Sequence, residues 1–172
     1  MHTAAIWPLL LVLAAAPVAA GAEGEDASTR ATTYWQKAWR IERRIETTAN
    51  DVSVAGSACV TASVLGGYGP ACAAAAQQAS DALDDLRDWR EEAEDLASPD
   101  AEFHALWLRS IRCREDLIRM DRDQARATQI AAASRALEIS ERARAKQEEC
   151  SPLRLEVFSR LLAGDAGGDA GK

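Results

Sequence analysis

The sequence predicts an all-α fold: an antiparallel helical bundle of three long helical segments, four helices once the last bends back, stapled by disulfides. Three observations carry this. Apolar residues recur at steps of three and four over long stretches. Alanine, the strongest helix former, is abundant. Four cysteines, Cys59, Cys72, Cys113 and Cys150, form an even set.

The chain opens on an apolar, uncharged stretch from Ile6 to Ala16, followed by small residues at Pro17-Val18-Ala19-Ala20 and Ala20-Gly21-Ala22. Glu23-Gly24-Glu25-Asp26 ends it abruptly. This is the layout of a secretory signal over residues 1–22, although its n-region has no Lys or Arg. The run is about 15 residues, short of the roughly 20 that span a bilayer, so cleavage is expected in place of anchoring. No later stretch is apolar enough to span a membrane. Residues 23–163 are then one helical domain, and 164–172, rich in Gly and Asp, a disordered tail.

The first helix is expected from Ser28, a residue suited to N-capping, to Leu65. Its seam is Ala31, Tyr34, Ala38, Ile41, Ile45, Thr48, Val52, Ala55, Cys59 and Ala62. Thr47 to Ser53 is poor in helix formers, which places a potential break near Asn50-Asp51. Gly66-Gly67-Tyr68-Gly69-Pro70 stops the helix. The second, from Ala71 to Ala97, has the most regular seam: Cys72, Ala75, Ala79, Ala82, Leu86, Trp89, Ala93 and Leu96. At Ser98-Pro99-Asp100 the chain stops and restarts, with Ser98 as cap and Pro99 at the first helical position.

The third stretch runs from Pro99 to Glu149 with no Gly or Pro after Pro99, and with Phe103, Leu106, Cys113, Leu117 and Met120 on its seam. About 50 residues is long for one globular helix, and the seam thins between Asp121 and Thr128, where a turn is expected. Cys150-Ser151-Pro152 is read as its end, with Leu153–Leu162 a short amphipathic tail. The cysteines bear on this. Cys59 and Cys72 flank the glycine turn. Cys113 and Cys150 on one straight helix would lie about 55 Å apart, far beyond the roughly 6 Å a disulfide spans. Either the stretch folds back or these two are unbonded; the fold-back is preferred. Two disulfides imply an oxidising compartment, so the protein is expected to be periplasmic or secreted.

Composition narrows function. Leu, Ile, Val and Phe make up about a sixth of the chain after the signal, so small residues must line close-packed seams. A net charge of −7 disfavours nucleic acid as a partner. Arg40-Ile41-Glu42-Arg43-Arg44 reads as a solvated face. No cysteine or histidine pair has metal-ligand spacing, and no cofactor is expected. His104, with Glu102 and Arg109 nearby, has no nucleophile in local sequence; Ser110 lies on another face. The carboxylates Glu91, Glu92, Glu94, Asp95, Asp121, Asp123, Glu148 and Glu149 sit among arginines, so catalysis is not expected. Trp35 and Trp39 share a helical face with Tyr34 beside them. Large aromatics anchor interfaces, so Tyr34, Trp35 and Trp39 are candidates for a partner or ligand face, with packing in the core as the alternative reading.

A further pattern runs through Cys59 and Cys72, the acidic segment Ser80-Asp81-Ala82-Leu83-Asp84-Asp85-Leu86, Trp107, Arg112-Cys113-Arg114 and Cys150. It resembles small helical periplasmic proteins that include inhibitors of lysozyme, which carry four cysteines and a Trp–Arg-Asp–Cys stretch after an Ala-rich helix. The stretch from Trp107 to Cys113 is shorter and has no Asp. The resemblance implies an inhibitor of a basic cell-wall hydrolase. The residues alone support an exported, non-catalytic binding or structural protein of the envelope with a protein partner. An envelope chaperone or adaptor is the other reading.

Overall fold

A computed structural model describes residues 22–168, with side chains from 27 to 164 except Tyr68. The expected signal, residues 1–22, therefore lies almost wholly outside the described residues. Four helices follow in order: α1 (Ala22–Val64), α2 (Tyr68–Glu94), α3 (Ala101–Gln129) and α4 (Ala133–Gly168). Among the described residues no helix is long and apolar enough to cross a membrane.

α1 begins before Ser28, which lies inside the helix with its carbonyl accepting the Thr32 hydroxyl at 3.0 Å. No break occurs at Asn50-Asp51. Thr47, Ser57 and Thr61 each donate to the carbonyl one turn back, which satisfies hydroxyls that would otherwise compete with the helix. Ile45 and Val52 tie the segment to the core.

α1 ends in a Schellman turn. Gly67 N donates to Ala62 O at 2.9 Å and Gly66 N to Ser63 O at 3.2 Å, with Gly66 at φ +83°. Pro70 falls in the first turn of α2, where its missing N–H is not needed. The cap of α3 is Asp100, which accepts from Phe103 N at 2.9 Å. Ser98 is not the cap; its hydroxyl bonds the backbone of Asp100.

The fold-back exists, but two residues beyond the expected window. α3 runs to Gln129 and closes in a second Schellman turn, with Ala132 N on Ala127 O at 2.9 Å and Ala131 N on Thr128 O at 3.0 Å. Ala131 takes the left-handed position, φ 54°, that glycine normally fills. α4 does not end at Cys150. It continues through Pro152 to Gly168. Proline there removes one backbone bond, but the helix is held on either side by the disulfide at Cys150 and by the buried Val157 and Leu161. The expected tail from 164 is thus helical as far as Gly168. Gly164 lies against the Trp35 ring, where a Cβ would come within 2.5 Å.

Both disulfides form, Cys59–Cys72 across the α1–α2 turn and Cys113–Cys150 between α3 and α4. They are compatible with an oxidising, exported location. The helices run up, down, up and down. α3 is central and touches the other three, while α2 and α4 do not meet. The main core joins Ile41, Ile45 and Val52 of α1, Ala82, Leu86 and Ala93 of α2, Phe103, Trp107, Ile111 and Ile118 of α3, and Val157 and Leu161 of α4. A smaller core surrounds Cys59–Cys72 with Ala75, Ala76 and Ala125.

Candidate binding groove

The aromatic cluster of α1 is packing within the chain. Tyr34 is 3% exposed. Trp35 lies 4.8 Å from the Phe103 ring and Trp39 6.0 Å from Phe158, edge-on. The expected partner face is therefore covered by α3 and by the continuation of α4 past Pro152, the portion that the sequence reading cut short. Trp35 and Trp39 keep part of their surface in solvent.

Tyr34 Oη lies 3.1 Å from His104 Nδ1 in a hydrogen bond. Burial raises the phenol pKa, and burial lowers that of the imidazole. Ser110 is not beside His104; its hydroxyl takes a bond from Arg114 at 3.3 Å. Three of the eight carboxylates singled out in the sequence meet arginines, Glu94 with Arg90 and Arg112, Glu92 with Arg44 and Asp123 with Arg122, and Glu149 meets Lys146. Among the described residues no cluster of three metal-ligating side chains occurs.

A buried polar network joins α1 to α3. Glu42 is fully buried, in place of the solvated position expected for it. It accepts from Trp107 Nε1 at 3.0 Å and pairs with Arg114 through a short contact. Arg114 Nη1 also lies 3.0 Å from Glu46, itself paired with Arg154 of α4. The Arg114 side chain is buried, and its Nε meets no acceptor. A carboxylate and a guanidinium of this kind tolerate burial only as a bonded pair.

Above this network α1 and α4 part, and α3 forms the floor between them. The space is about 460 Å³, lined by Glu46, Asn50 and Ser53 of α1, Ser110, Arg114 and Asp121 of α3, and Arg144, Gln147, Ser151 and Arg154 of α4, with Ala49, Leu117, Ile118, Ala143 and Cys150 as its apolar part. A second hollow of about 410 Å³ continues it toward the hairpin turns and shares Ser53 and Asp121 with it. The Cys113–Cys150 bridge and the Asp116–Lys146 ion pair fix the α3–α4 register. That register sets Asp121 level with Glu141 and Arg142, with Arg144 two to three residues nearer the Cys113–Cys150 bridge.

Two charges in the groove are uncompensated. Asp121 has no ion pair or side-chain hydrogen bond among the described residues, and burial pushes its carboxyl up to about 6. Arg144 is exposed at the rim, likewise with no acidic partner among the described residues. The other two arginines are held by Glu42 and Glu46. The groove can thus offer one carboxylate and one guanidinium across a surface of small hydroxyl and amide groups. Asn50, Ser53, Arg144, Gln147 and Ser151 carry no motif in the sequence. They become neighbours only because α1, α3 and α4 meet around one recess. Comparison with protein-family models, with curated proteins and with solved structures finds no match.

Proposed function

We propose that this chain is an exported, non-catalytic binding protein whose partner site is the α1–α4 groove. One observation carries the reading: a recess between α1, α3 and α4, floored by a buried arginine with an unsatisfied Nε and lined by Asp121 and Arg144, neither of which has an ion-pair partner among the described residues. An element that only fills space would bring α4 onto α1 along its whole length. Unpaired polar groups at a recess are what a bound partner satisfies.

Site-specific photocrosslinking tests this. Benzoylphenylalanine placed at Ser53 or Gln147, in the cells that express the protein, should yield one adduct. The same group at Asp85, on the outer face of α2, should not, and Arg144→Glu should abolish the adduct. Equal labelling from all three positions would remove the groove as the site.

A basic cell-wall hydrolase is the partner that the lysozyme-inhibitor resemblance suggests, and the net charge of −7 favours a cationic protein by steering. This second reading expects a one-to-one complex that weakens with salt. Calorimetric titration into a basic lysozyme without heat or inhibition would dismiss it. Trp107 and Arg114, both within the resembling stretch, are buried here in the Glu42 network, so any such contact falls to other residues.

A further inference from the structure

Both hairpin turns lie at one end of the bundle, and that end is stripped of charge. The run from Val52 to Ser80 contains no Asp, Glu, Lys, Arg or His, and neither does Ala127 to Ser134. Among the described residues, the most exposed large aliphatics are found there. Val64 is 82% exposed, Leu65 81% and Ile130 74%. Leu65 and Ile130 occupy the same position in the two Schellman turns, the last residue before the left-handed one. A turn facing only water gains nothing from a large apolar side chain at that point.

The two tips are set at different heights. Tyr34 pairs with His104 and Trp35 with Phe103; these pairs differ in number by 70 and 68, so Ile130 is level with about Thr61. At 1.5 Å per residue the α1–α2 tip projects about 6 Å beyond the α3–α4 tip. The first charged residues met behind the α3–α4 tip are Arg126, in the last turn of α3, and Arg135, in the first turn of α4. Both are exposed, and neither has an acidic partner among the described residues. On a protein of net charge −7, two unpaired cations directly behind a protruding apolar end are out of keeping with the rest of its surface.

We propose that this end is a membrane-docking tip, in which Val64, Leu65 and Ile130 enter the outer part of an anionic bilayer while Arg126 and Arg135 meet its phosphates. The depth fits: apolar groups that lie in the interface sink about 5–10 Å, and cations a turn behind them fall among the headgroups. A second copy of the chain is the rival occupant. It is disfavoured because tip-to-tip packing would bring the four arginines of two copies together with no acid to pair them. This inference is independent of the groove, which lies along the side of the bundle.

Flotation of the full oxidised protein with phosphatidylcholine vesicles, with and without phosphatidylglycerol, decides the matter. Recovery with the vesicles should require phosphatidylglycerol. It should fall about tenfold or more in Leu65→Asp/Ile130→Asp, and similarly in Arg126→Gln/Arg135→Gln. Circular dichroism and intact disulfides establish that these surface variants fold. Wild-type protein that stays unbound on anionic vesicles overturns the proposal. So does binding indifferent to phosphatidylglycerol, or a Leu65→Asp/Ile130→Asp variant that floats as well as wild type. A concentration-dependent dimer in sedimentation equilibrium, dispersed by Leu65→Asp, assigns the tip to a second copy and overturns it equally.

Discussion

Glu42 accepts the indole hydrogen of Trp107 at 3.0 Å, and neither side chain reaches solvent. The same carboxylate neutralises Arg114, so one acid supports two buried groups of α3. Removing it leaves a buried cation with only Glu46 nearby, which costs about 3 kcal/mol or more. Glu42→Leu should therefore unfold at markedly lower urea than the wild type. The double variant Glu42→Leu/Arg114→Met removes both charges and should recover much of that loss. A double variant no more stable than the single one would show that the ion pair is not what the network protects.

Asp121 makes a prediction with a definite sign. Its folded-state value, about 6, lies above the ordinary 3.8 because burial penalises the ionised form. Between those values the folded chain keeps a proton that the unfolded chain has released. Stability contributed by this group therefore falls as pH rises from about 4 through 6. Asp121→Asn should be more stable than wild type at pH 7.5, by about 1 kcal/mol after allowance for solvent screening, and lose that advantage at pH 4. Thermal melts of both proteins across this range provide the measurement.

A methyl group added at Gly164 on α4 would meet an aromatic ring. Its Cβ would stand 2.5 to 2.8 Å from three atoms of Trp35. Gly164→Ala favours the helix by propensity, yet the clash should dominate and cost about 1–3 kcal/mol. Tm should fall and tryptophan emission shift to the red as Trp35 is displaced. A higher Tm would mean that α4 slides away at little cost.

Ala131 holds a left-handed conformation, φ 54°, in an exposed turn. Glycine adopts it without a Cβ penalty, so Ala131→Gly should stabilise the protein by about 1 kcal/mol. Gly66→Ala, at φ +83° in the matching turn, should destabilise it by a similar amount. Urea midpoints of the two variants should move in opposite directions.

The α2 seam was legible because one rule governed it. Cys72, Ala75, Ala79, Ala82, Leu86 and Ala93 are all buried, and Trp89 and Leu96 pack against the core. The first turn could be read from its glycines. The second could not be placed, since an alanine supplies its left-handed residue and no glycine or proline marks it. Pro152 misled in the opposite direction, because a local stop signal yielded to Val157, Leu161 and the Cys150 bridge. The helix beyond that stop covers part of the expected face, with Phe158 on Trp39 and Gly164 on Trp35, while α3 covers Tyr34. Glu42 looked solvated because Arg43 and Arg44 follow it, and only the approach of α3 reveals its partners. Groove residues were invisible for a related reason: a gap between helices depends on how they splay, which no periodicity encodes.

Each covalent ring closes within one half of the chain, residues 59–72 in the first hairpin and 113–150 in the second. Nothing but the segment from Asp95 to Asp100 joins the halves through bonds. A protease that cut there would leave two sealed pieces that separate on a gel without any reductant. In solution they would stay together only through the interfaces of α1 and α2 with α3, and of α4 with α1. The cross-links thus harden each arm and leave the arms free to part from one another, or to exchange with those of another molecule.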